Sequence, residues 1–374
     1  MRRICFVTGT RAEFGLMGTT LRAIRARGEL ALQLVVTGMH LSPAHGRTID
    51  DIHRGGWTID RVVEWPEGDP AAATGVAMAG LAGAFAALDP EIVLVVGDRV
   101  EAFAAASAGA IGGRIVAHVH GGDRAQGQAD DALRHAITKL AHLHLAATPG
   151  SAARIVRLGE DVWRVHTVGA PGIDGIVETA SPGDSIAREF DVEPGRFALL
   201  VLHPTRDDDT AEHATAARLL DATLGAGLPR IVVIHPNNDP GHAGIVRCWD
   251  ERAGDPRLVR RRDVPRPLFL GLLRDAAFLI GNSSSGIIEA ASFGTPVIDV
   301  GPRQLGRERS DIVLAVEDDQ PALVAAVTQI WRDGRPRKWE GSNVYGGSGT
   351  GGRIAEVLAS VQLDDRLRRK LIAY

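Results

Sequence analysis

The 374-residue chain is 45% hydrophobic and 24% charged, the composition of a globular protein with length enough for two ordinary domains. A net charge of −4 and a pI near 6.4 argue against nucleic acid or an anionic membrane surface as the main partner. Two cysteines, Cys5 and Cys248, lie far apart and outside any metal-binding spacing, which fits a reduced, cytoplasmic setting.

The N-terminus passes directly into an apolar run, Ile4 to Val7, with no room for a signal peptide. Further runs follow at Leu32 to Val36, Ile92 to Val96, Ile115 to Val119 and Leu143 to Ala147. Each ends in a turn and then a segment of helical periodicity, the pattern of βα units, and their lack of alternation suits strands covered on both faces. None approaches the length of a membrane span. The second half repeats the pattern with Phe197 to Leu202, Ile231 to Ile234, Phe278 to Ile280 and Pro296 to Val300. The expected fold is therefore α/β, with two Rossmann-like doubly wound domains. The Gly/Pro turn between Val168 and Asp174 places the domains at 1–172 and 173–352, followed by a C-terminal helical segment at 353–374.

Ligands of open α/β sheets bind at the carboxyl ends of the strands, so the turns there carry the functional candidates. The first turn, Thr8 to Gly15, lacks a full GxGxxG fingerprint. Its Arg11 suits either a phosphate or a surface ion pair, and Glu13 either fixes Arg11 or caps the following helix. His40 faces a ligand or fills its loop. The densest titratable group spans Asp98 and Arg99, His118, His120 and Asp123, then Asp130 and Asp131 at a helix start. Carboxylates gathered at strand ends are the material of acid and base catalysis, although one of Asp130 and Asp131 also suits the helix macrodipole. His118, His120 and Asp123 are spaced closely enough to hold a metal, but no third dedicated ligand or open position is called for, and no metal is assigned.

In the second half, His203 and Asn237 stand at strand ends, and Asn237 carries the donor and acceptor needed to read a flat amide such as uracil. Gly281 to Glu289 reads as strand, polar turn and helix start. Ser283, Ser284, Ser285 and Gly286 suit either an N-cap or an anion, and Glu289 suits ribose hydroxyls. Arg303 and Arg307 follow the next strand and suit a diphosphate.

Taken together, GTRAEFG (9–15), TGMHLSP (37–43), GDR (97–99), HVHGGD (118–123), DDALRHAITKLAHLH (130–144), GNSSSGIIEA (281–290) and GPRQLGR (301–307) resemble the hydrolysing UDP-N-acetylglucosamine 2-epimerases of sialic and related nonulosonic acid pathways. The resemblance covers residues 3 to 355. It implies two domains facing a central cleft in the GT-B arrangement, a helix from Arg353 to Lys370 returning to the first domain, a homodimer, and no cofactor. It also implies elimination of UDP from UDP-GlcNAc to a glycal, followed by hydration to ManNAc. By the same resemblance Asp98, Asp123 and Asp130 or Asp131 are acid/base candidates, and His203 contacts the diphosphate or leaving oxygen. Ser283 and Ser284 with Arg11 bind diphosphate, Glu289 the ribose, Asn237 the uracil side and Arg303 the reacting region. The chain departs from the pattern at Asp123, where the family usually has glutamate. That shorter carboxylate leaves open a UDP-linked diacetamido sugar, a different nucleotide, or a reaction that stops at hydrolysis without epimerising; a GT-B glycosyltransferase is the competing reading from a different class.

Overall fold

The computed structural model of the chain describes residues 1–43, 46–124, 130–237, 239–334 and 338–374. They form two compact units, Met1–Asp174 with Tyr345–Tyr374, and Gly175–Val344. The first unit holds seven parallel strands, β1 (Arg2–Thr8), β2 (Leu30–Val36), β3 (Arg61–Val62), β4 (Ile92–Val96), β5 (Ile115–Val119), β6 (Leu143–Ala146) and β7 (Val165–Thr167), in the order β3-β2-β1-β4-β5-β6-β7. The second holds six, β8 (Phe197–Val201), β9 (Arg230–Ile234), β10 (Leu258–Arg261), β11 (Phe278–Gly281), β12 (Val297–Val300) and β13 (Val313–Val316), in the order β10-β9-β8-β11-β12-β13. Both sheets reverse their winding beside the first strand, between β1 and β4 and between β8 and β11.

The apolar runs explain the layering. In β4, Ile92, Leu94 and Val96 enter one core while Val93 and Val95 enter the core on the opposite face. In β8, Ala198 and Leu200 divide in the same way from Phe197, Leu199 and Val201. A strand whose successive side chains all meet apolar neighbours needs helices on both faces, and this is the doubly wound arrangement. The strands that the apolar pattern misses are at or near the edges. β3 is two exposed residues, β10 contains Arg260 and Arg261, and β13 is only half-buried.

Two expectations require correction. The stretch from Arg353 to Lys370 is two helices, Thr350–Ser360 and Asp365–Arg368, because Asp364 caps a new helix by accepting from the Leu367 amide at 2.9 Å. The return to the first unit begins at Tyr345, ahead of residue 353. There the Asp174 carboxylate accepts the amides of Gly349 at 2.6 Å and Gly351 at 2.8 Å, and Ile354, Ala355 and Leu358 join the first core. Gly351 is needed at this crossing, since a Cβ would lie 2.7 Å from the Thr19 backbone. Buried Arg164 fastens the last turn, donating to the carbonyls of Leu367 and Arg366 at 2.7 Å and Arg369 at 3.1 Å.

The second correction concerns apolar length. The 19-residue helix Pro70–Leu88 is long and apolar enough, by length and composition, to cross a bilayer. The run is easily overlooked because alanine and glycine fill it. Within the first unit its Ala77, Leu81, Ala84 and Phe85 lie buried, with Leu81, Ala84 and Phe85 in the same core as Val93 and Val95, and Asp69 caps its start.

Candidate functional site

At the first switch point the turn after β1 is closed by its own side chains. Glu13 accepts the amides of Gly9 at 2.9 Å and Thr10 at 3.1 Å, while Thr10 Oγ1 accepts the Glu13 amide, a complete capping box. Burial pushes the Glu13 carboxyl up to about 7, with Glu101 adding to the rise and the two amides and Arg99 opposing it. Glu13 thus takes the capping alternative of its two sequence readings, and the amides of Gly9 and Thr10 are engaged within the turn. Arg11 stands exposed at the first position of that helix.

His40 fills its loop, the second of its two sequence readings. It is buried, with Nε2 3.1 Å from Thr8 Oγ1 and Nδ1 2.8 Å from Thr48 Oγ1, and burial lowers its pKa. Both nitrogens are used in joining the ends of β1 and β2 to the loop beyond. Arg99, at the end of β4, is held by Glu101, with two contacts of 3.1 Å. The buried Glu101 also lies against Gly9, where a Cβ would come within 2.6 Å of its side chain.

The acid cluster forms at the ends of β4 and β5 and the start of the helix Asp130–Leu140. Its centre is Arg134, 5% exposed, whose guanidinium pairs with both Asp98 and Asp131 and donates to the Asp123 carbonyl at 2.8 Å. Three segments distant in sequence are thus tied by one side chain. Asp123 Oδ2 lies 2.8 Å from His120 Nδ1, and its Oδ1 accepts from Ser151 Oγ at 2.6 Å. The side chain of Asp130 lies outside the described residues. His118 is fully buried, with Nε2 2.8 Å from the Gly97 carbonyl and Nδ1 3.2 Å from Thr138 Oγ1. Burial brings its pKa down to about 3, so the ring is a neutral strut between β4, β5 and the helix.

In the second unit the corresponding strand ends carry different chemistry. Asn282, 2% exposed, accepts the His203 amide through Oδ1 and donates to the His203 carbonyl through Nδ2, both at 2.8 Å. The Asn282 carbonyl accepts from Gln304 Nε2 at 2.8 Å and Arg303 at 3.3 Å. One asparagine thereby joins the loops after β8, β11 and β12. Gly281 permits this approach, since a Cβ there would meet the Val201 carbonyl at 2.0 Å. The His203 Nδ1 accepts the Asn237 amide at 3.2 Å, which leaves Nε2 as the protonated nitrogen of the neutral ring. Burial and then Arg303 hold its pKa below the usual histidine value. The Asn237 side chain is exposed and donates to Asp239 at 2.5 Å.

Ser283 caps the helix Ser284–Ile288, and its Oγ lies 2.8 Å from Ser285 Oγ. Glu289 follows that helix, mostly buried, and pairs with Arg266 at 2.7 Å through Oε1. Burial raises its pKa against the pull of Arg266, and Oε2 has no hydrogen-bond partner among the described residues. Burial and the neighbouring Arg307 lower the Arg303 pKa, with Asp239 opposing. Two guanidinium groups in mutual repulsion suit an anionic ligand.

The structure brings Asp98, Asp123, Asp131 and His120 together in the first unit, and His203, Asn237, Arg303 and the serine turn together in the second. Sequence reasoning missed Arg134, Ser151, Glu101 and Asn282 as site residues. A signal existed for Arg134, which lies one helical turn after Asp131, and for Asn282, which opens the GNSSSG turn.

The family model for UDP-N-acetylglucosamine 2-epimerase matches residues 22–359. A Legionella pneumophila protein named UDP-N,N'-diacetylbacillosamine 2-epimerase (hydrolyzing) is 34% identical over 381 residues, covering 100% of both chains. A UDP-N-acetylglucosamine 2-epimerase of Neisseria meningitidis is 32% identical, covering 96% of this chain and 95% of that one. Among solved structures, a Neisseria meningitidis UDP-GlcNAc 2-epimerase bound to UDP-GlcNAc has a TM-score of 0.78 at 18% identity, covering 95% of this chain and 99% of that one. This last likeness bears on the fold.

Proposed function

The chain belongs to the UDP-N-acetylglucosamine 2-epimerase family, and from that premise we propose that it is a hydrolysing 2-epimerase acting on a UDP-linked 2-acetamido sugar. The substrate is UDP-GlcNAc or a UDP-diacetamido sugar, the two classes named for its relatives. The observation that carries this reading is Arg134 gathering Asp98, Asp131 and the Asp123 loop at the ends of parallel strands. Removal of a weakly acidic C2 proton needs such a group of preorganised acids and bases, with a fixed cation to set their geometry.

In this reading the second unit grips the nucleotide. Arg303 and Arg307 meet the diphosphate, the Nε2–H of His203 donates to the leaving oxygen, and the free Oε2 of Glu289 accepts from ribose hydroxyls. The C2–H pair closes a C1=C2 double bond as UDP departs with the C1–O pair, and water then adds across the glycal. Hydroxide joins C1 and a proton reaches C2 from the opposite face.

Incubation with UDP-GlcNAc or a UDP-diacetamido sugar in heavy water, with no acceptor present, tests the proposal. The expected products are UDP and the free 2-epimer carrying deuterium at C2. Asp98→Asn abolishes turnover while leaving UDP affinity within a few fold. Turnover that appears only with a sugar acceptor assigns the chain to the glycosyltransferases, and UDP release without epimerisation assigns it to the simple hydrolases.

A further inference from the structure

We propose that His120, held by Asp123, is the group that takes the C2 proton, and that Asp123 acts through it as a positioning residue. The inference rests on the epimerase reading and assigns the proton transfer within it. In the simplest expectation the Asp123 carboxylate itself meets the sugar. Its surroundings favour a different division of labour, because both of its oxygens already accept from within the protein, one from Ser151 Oγ at 2.6 Å and the other from His120 Nδ1 at 2.8 Å.

The loop is built to keep that arrangement. Gly122 has φ +75 and presses on the helix Pro149–Arg157, where a Cβ would lie 2.3 Å from the Ser151 carbonyl. Arg154 Nε donates to the Gly122 carbonyl at 2.5 Å, and Arg134 donates to the Asp123 carbonyl at 2.8 Å. The carboxylate is thereby drawn down onto Ser151. A side chain one methylene shorter than glutamate is seated by this clamp and acts as the anchor of the imidazole.

His120 shows the complementary features. A carboxylate only accepts, so Nδ1 carries the proton of the neutral ring and Nε2 presents its lone pair. Nε2 is shielded from solvent and has no hydrogen-bond partner among the described residues. A shielded acceptor with nothing to accept is uncommon in a folded protein and marks a functional position. The backbone supports the same conclusion, because His120 has φ +64, a left-handed conformation that a non-glycine residue seldom adopts and that collects at functional sites. His118, two residues earlier, has neither feature, with extended backbone and both nitrogens engaged.

The step balances without any added reagent. The C2 proton passes to His120 Nε2, the C–H electron pair forms the C1=C2 bond, and the C1–O pair leaves with UDP. The resulting imidazolium keeps its Nδ1–H on Asp123, which compensates the new positive charge in the manner of a carboxylate behind a catalytic histidine.

The test begins with wild-type protein and the two UDP-sugars in heavy water. Given turnover, His120→Gln lowers kcat at least 100-fold with UDP affinity within threefold, and imidazole restores His120→Ala at least tenfold. Ser151→Ala, which loosens only the anchor, lowers kcat three- to tenfold. The double variant His120→Gln/Asp123→Asn is no slower than His120→Gln alone, as expected for groups acting as one unit. Thermal unfolding of each variant separates loss of fold from loss of chemistry. Should His120→Gln keep kcat within tenfold of wild type, or should acetate rescue Asp123→Ala while imidazole fails to rescue His120→Ala, the assignment is overturned and Asp123 is the base. A wild type that turns over neither sugar overturns the epimerase reading itself, an outcome distinct from either.

Discussion

The two units share one scaffold and differ at the same place on it. Each is a parallel sheet whose order reverses beside its first strand, yet the first puts carboxylates around a buried guanidinium there and the second puts an imidazole, amides and arginines. Central strand residues in both are interchangeable in kind, Val and Leu meeting helices on each face. The difference lies in the few residues that follow each strand. It teaches that the sheet supplies position while the turns supply chemistry, so under the proposed function proton transfer and nucleotide binding are separable by mutation.

Arg134 gives the sharpest separation. Arg134→Met leaves Asp98 and Asp131 facing each other without their shared cation, and removal of one member of a buried ion group costs on the order of 3 kcal/mol of stability. Loss of the common anchor also misplaces Asp98, Asp131 and the Asp123 loop, and kcat is expected to fall about 10³-fold. UDP affinity, which the proposed function assigns to the second unit, stays within a few fold. Calorimetric titration of UDP beside a turnover assay checks both, and an equal loss in the two would break the proposed division.

Acid distinguishes the units next. In the first, burial holds His118 at about 3, and burial with nearby Lys370 holds His142 at about 4. Below about pH 6.5 the unfolded chain binds protons that these folded rings refuse, so stability is lost as pH falls, by about 1.4 kcal/mol per pH unit for each ring. Glu160 adds loss at lower pH. Burial would raise it, but hydrogen bonds from His144, Lys139 and Lys370 bring it down to about 2, so its contribution is present above about pH 4.5 and disappears towards pH 2. In the second unit burial also lowers His203 and His235, but it raises Asp299 to about 6, and that group loses stability as pH rises from 3.8 through 6. Glu13, which burial raises to about 7, offsets part of this loss in the first unit as pH falls, but it acts at the turn after β1, whereas His118 lies on β5 and bonds the end of β4. Hydrogen exchange at pH 7 and pH 5, corrected for intrinsic rates, is therefore expected to show greater loss of protection in β4 and β5 than in β8 and β11. Equal losses would remove the contrast.

The legible part of this molecule was whatever a local pattern writes. Runs such as Ile92 to Val96 declare a strand buried on both faces, and β1, β2, β4, β5, β6, β8, β9, β11 and β12 follow from them, β4 and β5 without change and the others with shifts of one or two residues at one or both ends. β10 and β13 were illegible because edge positions tolerate Arg260, Arg261 and half-buried side chains. At the candidate site, the strand-end positions of Asp98, Asp123 and His203 were legible, since the turn places them there whatever the tertiary detail. For His40 and Glu13 the sequence left two readings open, because the partners that choose between them, Thr48 and the Gly9 amide, come from the folded turn. Asn282 and Arg134 act through contacts 79 and 36 residues away, which no periodicity records.

The smallest expected effect settles what the serine turn contributes to the contrast. Ser283 caps the helix Ser284–Ile288, and capping and anion binding use the same group of amides. Ser283→Ala removes the cap and is expected to cost about 1 kcal/mol of stability together with roughly fivefold in UDP affinity. Ser283→Asp keeps a capping oxygen, so thermal stability should remain at the wild-type value. Its charge would nevertheless repel a diphosphate seated there, and UDP affinity is expected to fall by a similar factor. If Ser283→Asp binds UDP as wild type does, the hydroxyl is a cap alone, and Arg303 and Arg307 carry the anion without it.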